Sequence, residues 1–430
     1  MSKRILIIIL FLLAVFALAL LLYWVFFKPP KIAPPKVKPP TVEVPTAKLP
    51  ITKEAWERMT IEERTKLGLP LYTWPEEKPI EVPTEVEKKV APEISEIATG
   101  GRTWVYPVST DLNDVMQDAV LSLDGQNSFY YNKADGKFYQ IDKDGNKRLL
   151  SDKTFYNVDK VNWSPNKDKA ILEYPDGFKI MYDFQKQKQY TLPKNWQEFS
   201  WRRDGQQIAF KSLSKYPENN WLAIANPDGT GAQPIEPMGE NADKVVVSWS
   251  PNNQVIAFSA TGQPRGFNQQ EIFLIGLHGE NFKSLIVDGR GFEPQWSPIG
   301  DKIAYSVYNP DSGYRPTLYI VNAQGDEIGT NHINTGLNTW AHKCTFNSSG
   351  SYLYCAVPRN LPEGSGMMTE LTGTTEDDFF RIDTRTGEVY FLAEGAMGSY
   401  DVEKMFLSPD ESLLYFIDKY TRRLRYIRLK

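Results

Sequence analysis

The sequence predicts an all-β protein: a seven-bladed β-propeller of four-stranded antiparallel blades, preceded by one N-terminal transmembrane helix and a Pro-rich linker. Three observations predict it. A unit of aromatic residue, Ser-Pro or its equivalent, polar turn and β-rich run recurs along residues 101–430. Its seven copies are marked by Leu121, Trp163, Trp201, Trp249, Trp296, Phe346 and Leu407, spaced 42, 38, 48, 47, 50 and 61 residues apart. Four strands in a repeat of roughly 40–50 residues is the pattern of a propeller blade, which must stack on neighbours to bury both faces. Finally, 22 Tyr, 22 Phe and 11 Trp make the chain 13% aromatic, which favours strands.

Composition excludes several classes. The 430 residues carry a net charge of −4, against a protein built to grip nucleic acid. Two cysteines and three histidines leave little for a zinc cluster or a disulfide-dense scaffold.

Residues 5–27 contain no charge. As a helix they span a hydrocarbon core of roughly 30 Å, with Tyr23 and Trp24 placed for the interface. The small-x-small site Ala17-Leu18-Ala19 lies inside the apolar run, so the segment reads as an uncleaved anchor and not as a signal peptide. Lys3 and Arg4 precede it, and Lys28, Lys31, Lys36 and Lys38 follow. Counted literally, these charges favour a cytoplasmic C-terminus, but long domains translocate largely regardless of charge. The type of domain that follows sets the expectation at N-in, C-out, with the propeller extracytoplasmic.

Residues 28–100 form the linker, and 13 of the 30 prolines lie between Lys28 and Pro92. Proline fixes φ and removes a donor, so residues 28–50 are expected to be polyproline II or disordered, a spacer, and residues 71–100 return to Pro/Glu/Lys linker. Short helices interrupt it near residues 53–67. Thr60-Ile61-Glu62-Glu63 is a capping box, and Gly68 with Pro70 is a stop.

Within each propeller unit, strand a ends at the aromatic, strand b is an Ile-Ala-aromatic run, and strands c and d follow. Trp163-Ser164-Pro165 leads to Ala170-Ile171-Leu172, Trp201-Arg202-Arg203 to Ile208-Ala209-Phe210, Trp249-Ser250-Pro251 to Ile256-Ala257-Phe258, and Trp296-Ser297-Pro298 to Ile303-Ala304-Tyr305. The last unit ends after strand c, and Thr103–Val108 has no blade of its own. That N-terminal strand is therefore expected to complete blade seven and remove an open edge.

This pattern resembles the WD40-like (PD40) repeats of TolB-type β-propellers, over about 330 residues. The resemblance implies a propeller used as a binding platform outside the cytoplasm. An anchor and linker stand where TolB has a separate α/β domain, so TolB's own role and partner are not carried over.

No Gly-x-Ser-x-Gly elbow is present, and no residues remain to build a hydrolase domain beside the propeller. His278 falls in a c–d turn, His332 near a strand d and His342 in strand a of blade six, where it alone could face the channel. Asp142-Lys143-Asp144-Gly145 reads as a hairpin turn and not as a calcium loop. No catalytic residue, cofactor or metal is expected. The function expected is a membrane-tethered platform for another protein or a cell-envelope polymer. The alternative is a propeller enzyme or carbohydrate-binding module using the channel mouth. Acids and aromatics at that mouth would mark the alternative, and a broad exposed apolar patch on one face would mark the platform.

Loop lengths point to the face. The b–c loops are long in blades three to six, at residues 213–220, 261–270, 309–315 and 358–376, and function concentrates in loops on a rigid scaffold. They carry the candidate partner-binding residues Tyr216, Arg265, Phe267, Tyr314, Arg315, Arg359, Met367 and Met368. If Trp296 sits opposite Ile303, the same offset puts Phe346 opposite Leu353 and Cys344 opposite Cys355. A disulfide between these two cysteines is expected, and such bonds persist in oxidising compartments.

Overall fold

The computed structural model describes residues 55, 57–66, 94–108, 115–122, 124–142, 144, 146–266, 268–396 and 398–430. The expected anchor at 5–27, most of the linker and Phe267 lie outside the described residues. Among the described residues no helix is long and apolar enough to cross a membrane. The chain divides into two units, Met1–Lys88 and Lys89–Lys430.

In the first unit, Ile61–Lys66 is a helix. Its capping box is formed reciprocally. The Thr60 backbone N–H donates to Glu63 Oε2 at 2.8 Å, and the Glu63 N–H donates to Thr60 Oγ1 at 3.4 Å. Two of the donors that a helix start leaves unpaired are thereby satisfied.

The second unit is a seven-bladed all-β propeller of four-stranded antiparallel blades. Blade 1 runs Met116–Leu121, Asn127–Asn132, Lys137–Asp142 and Lys147–Leu149 as strands a to d. Blade 2 runs Lys160–Trp163, Lys169–Glu173, Lys179–Asp183 and Lys188–Leu192. Blade 3 runs Trp196–Trp201, Ile208–Ser212, Trp221–Ala225 and Gln233–Pro237. Blade 4 runs Val245–Val247, Ala257–Ser259, Gln269–Ile275 and Leu285–Val287. Blade 5 runs Arg290–Trp296, Lys302–Tyr308, Thr317–Asn322 and Ile333–Asn334. Blade 6 runs Cys344–Phe346, Tyr352–Pro358, Asp377–Asp383 and Val389–Gly395. Blade 7 takes Val402–Leu407, Leu413–Asp418 and Arg423–Arg428 from the C-terminus and Tyr106–Pro107 from the N-terminal side.

Each residue of the repeat has a physical task. The Ser hydroxyl closes the a–b turn by accepting the backbone N–H five residues on: Lys169 for Ser164, Val255 for Ser250, Lys302 for Ser297 and Leu413 for Ser408, at 2.9–3.1 Å. Side chains that bond nearby backbone in this way favour turns over continued strand. In three of the four Trp units the indole N–H ties a blade to the one before it, while Trp249 Nε1 is buried without an acceptor among the described residues. Trp163 donates to the Asp118 carbonyl at 2.9 Å, Trp201 to Asn162 at 3.2 Å and Trp296 to Ser248 at 3.4 Å. In these three the ring supplies apolar bulk while its polar edge is satisfied.

Seven apolar clusters fill the wedges between consecutive blades. One of them joins Met116, Tyr130 and Ile141 of blade 1 to Ile417 and Leu424 of blade 7, which closes the ring. Gly125 lies in the a–b turn of blade 1 at φ 62°, and a Cβ there would fall 1.9 Å from Pro409 Cδ of blade 7. Only glycine permits both that backbone and that approach.

The closing strand is shorter than the sequence suggests. Tyr106 pairs with Tyr426 and Pro107 with Arg425, antiparallel. Gly101–Thr103 instead adds a fifth strand to blade 6, parallel to Ala393–Gly395. One segment therefore covers two outer edges, and the Trp104–Val105 step carries the chain from one blade to the next. His342 lies in the single turn Ala341–Lys343 immediately before strand a of blade 6, and not in the strand.

Candidate binding face and channel

The long b–c loops are held by their own polar groups. In blade 3, the Asn220 side chain accepts from the Ser214 N–H at 2.7 Å and donates to the Gly239 carbonyl at 2.9 Å. Tyr216 stands out from this loop, 58% exposed. In blade 4, Pro264–Arg265 folds back on Gln269 and Gln270, with the Arg265 guanidinium 3.4 Å from Glu271. In blade 5, Asn309 caps the turn Pro310–Ser312, and Gly313 and Tyr314 follow at φ 60° and 54°. A left-handed Tyr is a strained choice that needs outside support.

The loop of blade 6 provides that support. The Gly364 N–H donates to the Gly313 carbonyl at 2.9 Å and the Gly366 N–H to the Tyr314 carbonyl at 2.8 Å. Arg315 Nε donates to the Leu361 carbonyl at 2.7 Å. A Cβ on Gly366 would lie 2.6 Å from Tyr308 Cβ, so the contact requires glycine. The loops of blades 5 and 6 are thus joined into one pad, from which Met367, Met368 and Leu371 project, each more than half exposed.

Beneath the pad lies a charge cluster. Lys343 Nζ contacts Asp377 Oδ2 at 2.7 Å, Asp401 Oδ1 at 2.9 Å and Thr375 Oγ1 at 2.9 Å. All four side chains are buried. The Val402 N–H also donates to Asp377, at 2.8 Å. Burial pushes the Asp377 carboxyl above its ordinary value despite Lys343. Burial also opposes the charge on Asp401, but Lys343 and the Thr375 hydroxyl hold its carboxyl below the usual range.

The eight candidate residues divide by location. Tyr216, Arg265, Met367 and Met368 are exposed on the b–c loops. Tyr314 and Arg315 are joints between the two loops. Arg359 is engaged within the chain, by Asp378 at 2.7 Å and Glu394 at 2.9 Å. Phe267 lies outside the described residues. Leu371 went unrecognised in the sequence, although it is an apolar residue in an otherwise polar Thr/Gly segment. The Lys343 cluster left no sequence signal, because its acids lie 34 and 58 residues from the lysine.

The inner strands of blades 1, 5, 6 and 7 and the turn entering blade 6 enclose a channel cavity of about 310 Å³. Asp118, Glu293, His342, Glu403 and Lys404 line it. His342 Nδ1 lies 2.8 Å from Glu293 Oε1, and Arg422 grips both oxygens of Glu403 at 2.7 Å. Enclosure by the channel wall lowers Lys404, with Asp118 and Glu403 opposing. Burial raises Asp118. Lys167 is lowered to about 8 by burial and by Lys404. Among the described residues no group of His, Cys, Asp or Glu side chains could hold a metal ion.

Strands a and b of blade 6 pair Cys344 with Cys355 and Phe346 with Leu353. The two cysteine Cα atoms are 4.1 Å apart, and the sulfurs form a disulfide, buried between the blades. Denatured, unreduced protein should therefore react with no thiol reagent, and reduced protein with two equivalents. Two reactive thiols without reductant would remove the bond.

No family model matches the chain, and no curated protein matches it. Its likeness is to solved propeller structures. It resembles an oligogalacturonate lyase from Vibrio parahaemolyticus at 11% identity and a TM-score of 0.52, covering 76% of this chain and 93% of that one. An oligogalacturonate lyase in complex with manganese is similar at 12% identity and 0.52, with the same coverage. The β-propeller domain of Myceliophteria thermophila Cps50 (Swd1) is similar at 12% and 0.49, covering 73% of this chain and 97% of that one. At these identities the likeness is one of fold alone, in keeping with the seven-bladed propeller that the strand order of the second unit defines.

Proposed function

We propose that this chain is a membrane-tethered binding platform built of TolB-type (PD40) repeats. Residues 5–27 anchor it N-in, C-out, the linker spaces it from the bilayer, and the b–c face takes up another protein or a cell-envelope polymer. The observation that carries the reading is the joined pad of blades 5 and 6. Its backbone is fixed before any partner arrives, and it holds Met367, Met368 and Leu371 with more than half of each exposed to solvent. Exposed apolar side chains on a pre-ordered surface favour association, because little conformational entropy is lost on binding. The Cys344–Cys355 bond supports an oxidising compartment.

A second reading places the activity, enzymatic or carbohydrate-binding, at the channel. It is favoured by the charged groups around the cavity and by the activity named for the two lyase structures of the same fold. One experiment separates the two. Full-length protein is used to capture partners from its native membranes, in parallel with Met367→Ser/Met368→Ser and Glu293→Gln variants. The platform reading expects capture by the wild type and at least about tenfold less by the methionine variant, equivalent to about 1.4 kcal/mol. Unchanged capture by that variant would sink it, and loss confined to Glu293→Gln would move the function to the channel.

A further inference from the structure

A second cleft lies away from the channel, on the same face. It sits between the b–c loop of blade 4 and that of blade 5, floored by strands c and d of blade 5, and measures about 870 Å³. That is within the range of ligand-holding clefts, roughly 300–1,000 Å³. Such clefts are lined mainly by apolar side chains, but this one is not. Among the described residues its walls carry amides, guanidiniums, carboxylates, hydroxyls and glycines, with Tyr319 as an aromatic ring.

The polar groups fall into two sets. One set builds the walls. Gln269 donates to Asp288 at 2.8 Å, Asn309 donates to the Asp288 carbonyl at 2.6 Å, and Asn334 donates to the Tyr319 hydroxyl at 3.3 Å. The other set keeps hydrogen-bonding capacity to spare, Arg315 included although it also joins the two loops. Asn268 Oδ1 is buried without a hydrogen-bond donor among the described residues. Arg315 is held by two backbone carbonyls, Leu361 at 2.7 Å and Ser312 at 3.2 Å, which fix its plane without neutralising it. Asp311 and Asn338 are exposed at the rim. The rigid set holds the second set in place.

We propose that this cleft binds an oligosaccharide, read by Asn268, Asp311, Arg315 and Asn338. A sugar hydroxyl both donates and accepts, as an amide does, and adjacent hydroxyls match the paired atoms of carboxylate and guanidinium groups. An apolar ligand would leave these polar side chains without partners. A nucleic acid meets Asp288 and Asp311 beside Arg265 and Arg315, so the cleft offers no excess of positive charge to hold a run of phosphates. A peptide would need a strand edge or side-chain pockets. The edge strand here, Ile333–Asn334, is two residues long.

The inference rests on the b–c face being the working face, but it is tested apart from the methionine pad. Detergent-solubilised full-length protein is titrated calorimetrically with chitotetraose, cellotetraose and tetragalacturonate. The expected result is saturable 1:1 binding of at least one of them, with a Kd on the order of 0.1 mM. Asn338→Trp, which fills the cleft from an exposed position, should weaken it at least tenfold, and Met367→Ser/Met368→Ser should leave it unchanged. If Asn338→Trp does not fold like the wild type, Asp311→Ala replaces it, with an expected weakening of severalfold. No saturable binding up to millimolar sugar, unchanged binding in the cleft variant, or displacement of the sugar by a Ser/Asn/Thr peptide would overturn the proposal. Sugar binding that disappears only in the methionine variant would also overturn it.

Discussion

Lys343→Met should destabilise the propeller by about 3–5 kcal/mol, because it leaves the carboxylates of Asp377 and Asp401 buried without their cation. The two acids are almost fully enclosed and share the one ammonium. The measurement is urea or thermal unfolding of the variant beside the wild type. A second variant identifies the cause: Lys343→Met/Asp377→Asn removes one of the stranded charges and should recover part of the loss. The same change should loosen the binding face. Asp377 opens strand c of blade 6, Thr375 ends the loop before it, and the Asp377 N–H donates to the Tyr400 carbonyl at 2.9 Å. Faster hydrogen exchange over residues 366–377 is the expected sign. A loss of stability under 0.5 kcal/mol would show that the cluster is solvated and does not anchor the pad.

A chain starting at residue 110 should melt on the order of 10 °C below one starting at residue 94, and should aggregate. It loses Tyr106–Pro107, the fourth strand of blade 7, and Gly101–Thr103 on blade 6. It also loses the buried Ala98 and Val105 and the stack of Tyr106 on Tyr426, with ring centroids 5.2 Å apart. Arg428 lies over the Tyr106 ring at 5.0 Å and would lose that contact as well. The exposed strand Arg423–Arg428 then presents unpaired backbone to other chains. Thermal melts with light scattering check both effects. Equal melting of the two chains would mean that the ring is closed by inter-blade packing alone. Tyr106→Ala should fall between the two, since it removes the ring contacts and keeps the backbone pairing.

The sequence by itself determined the blades, because the information for a blade is local. Where a Ser follows the marker residue of the a–b turn it bonds a residue five positions away, as Ser297 does with Lys302, and the aromatic and the β-rich run flank that turn. The offset that pairs Trp296 with Ile303 fixed the pairing of Cys344 with Cys355 eleven residues apart. The capping box at Thr60 and Glu63 was legible for the same reason, and the long b–c loops were legible as gaps between copies of the unit. Tertiary structure decided what depends on contacts between blades. It engaged Arg359 with Asp378 and Glu394, joined Arg315 to Leu361 across two loops, and brought Lys343, Asp377 and Asp401 together. It also sent Gly101–Thr103 to blade 6 in parallel, where the sequence reading begins the strand of blade 7 at Thr103. A repeat specifies its own turn and strands through near neighbours. Which side chains meet in the wedges and over the loops depends on the rotation from one blade to the next, which no single repeat encodes.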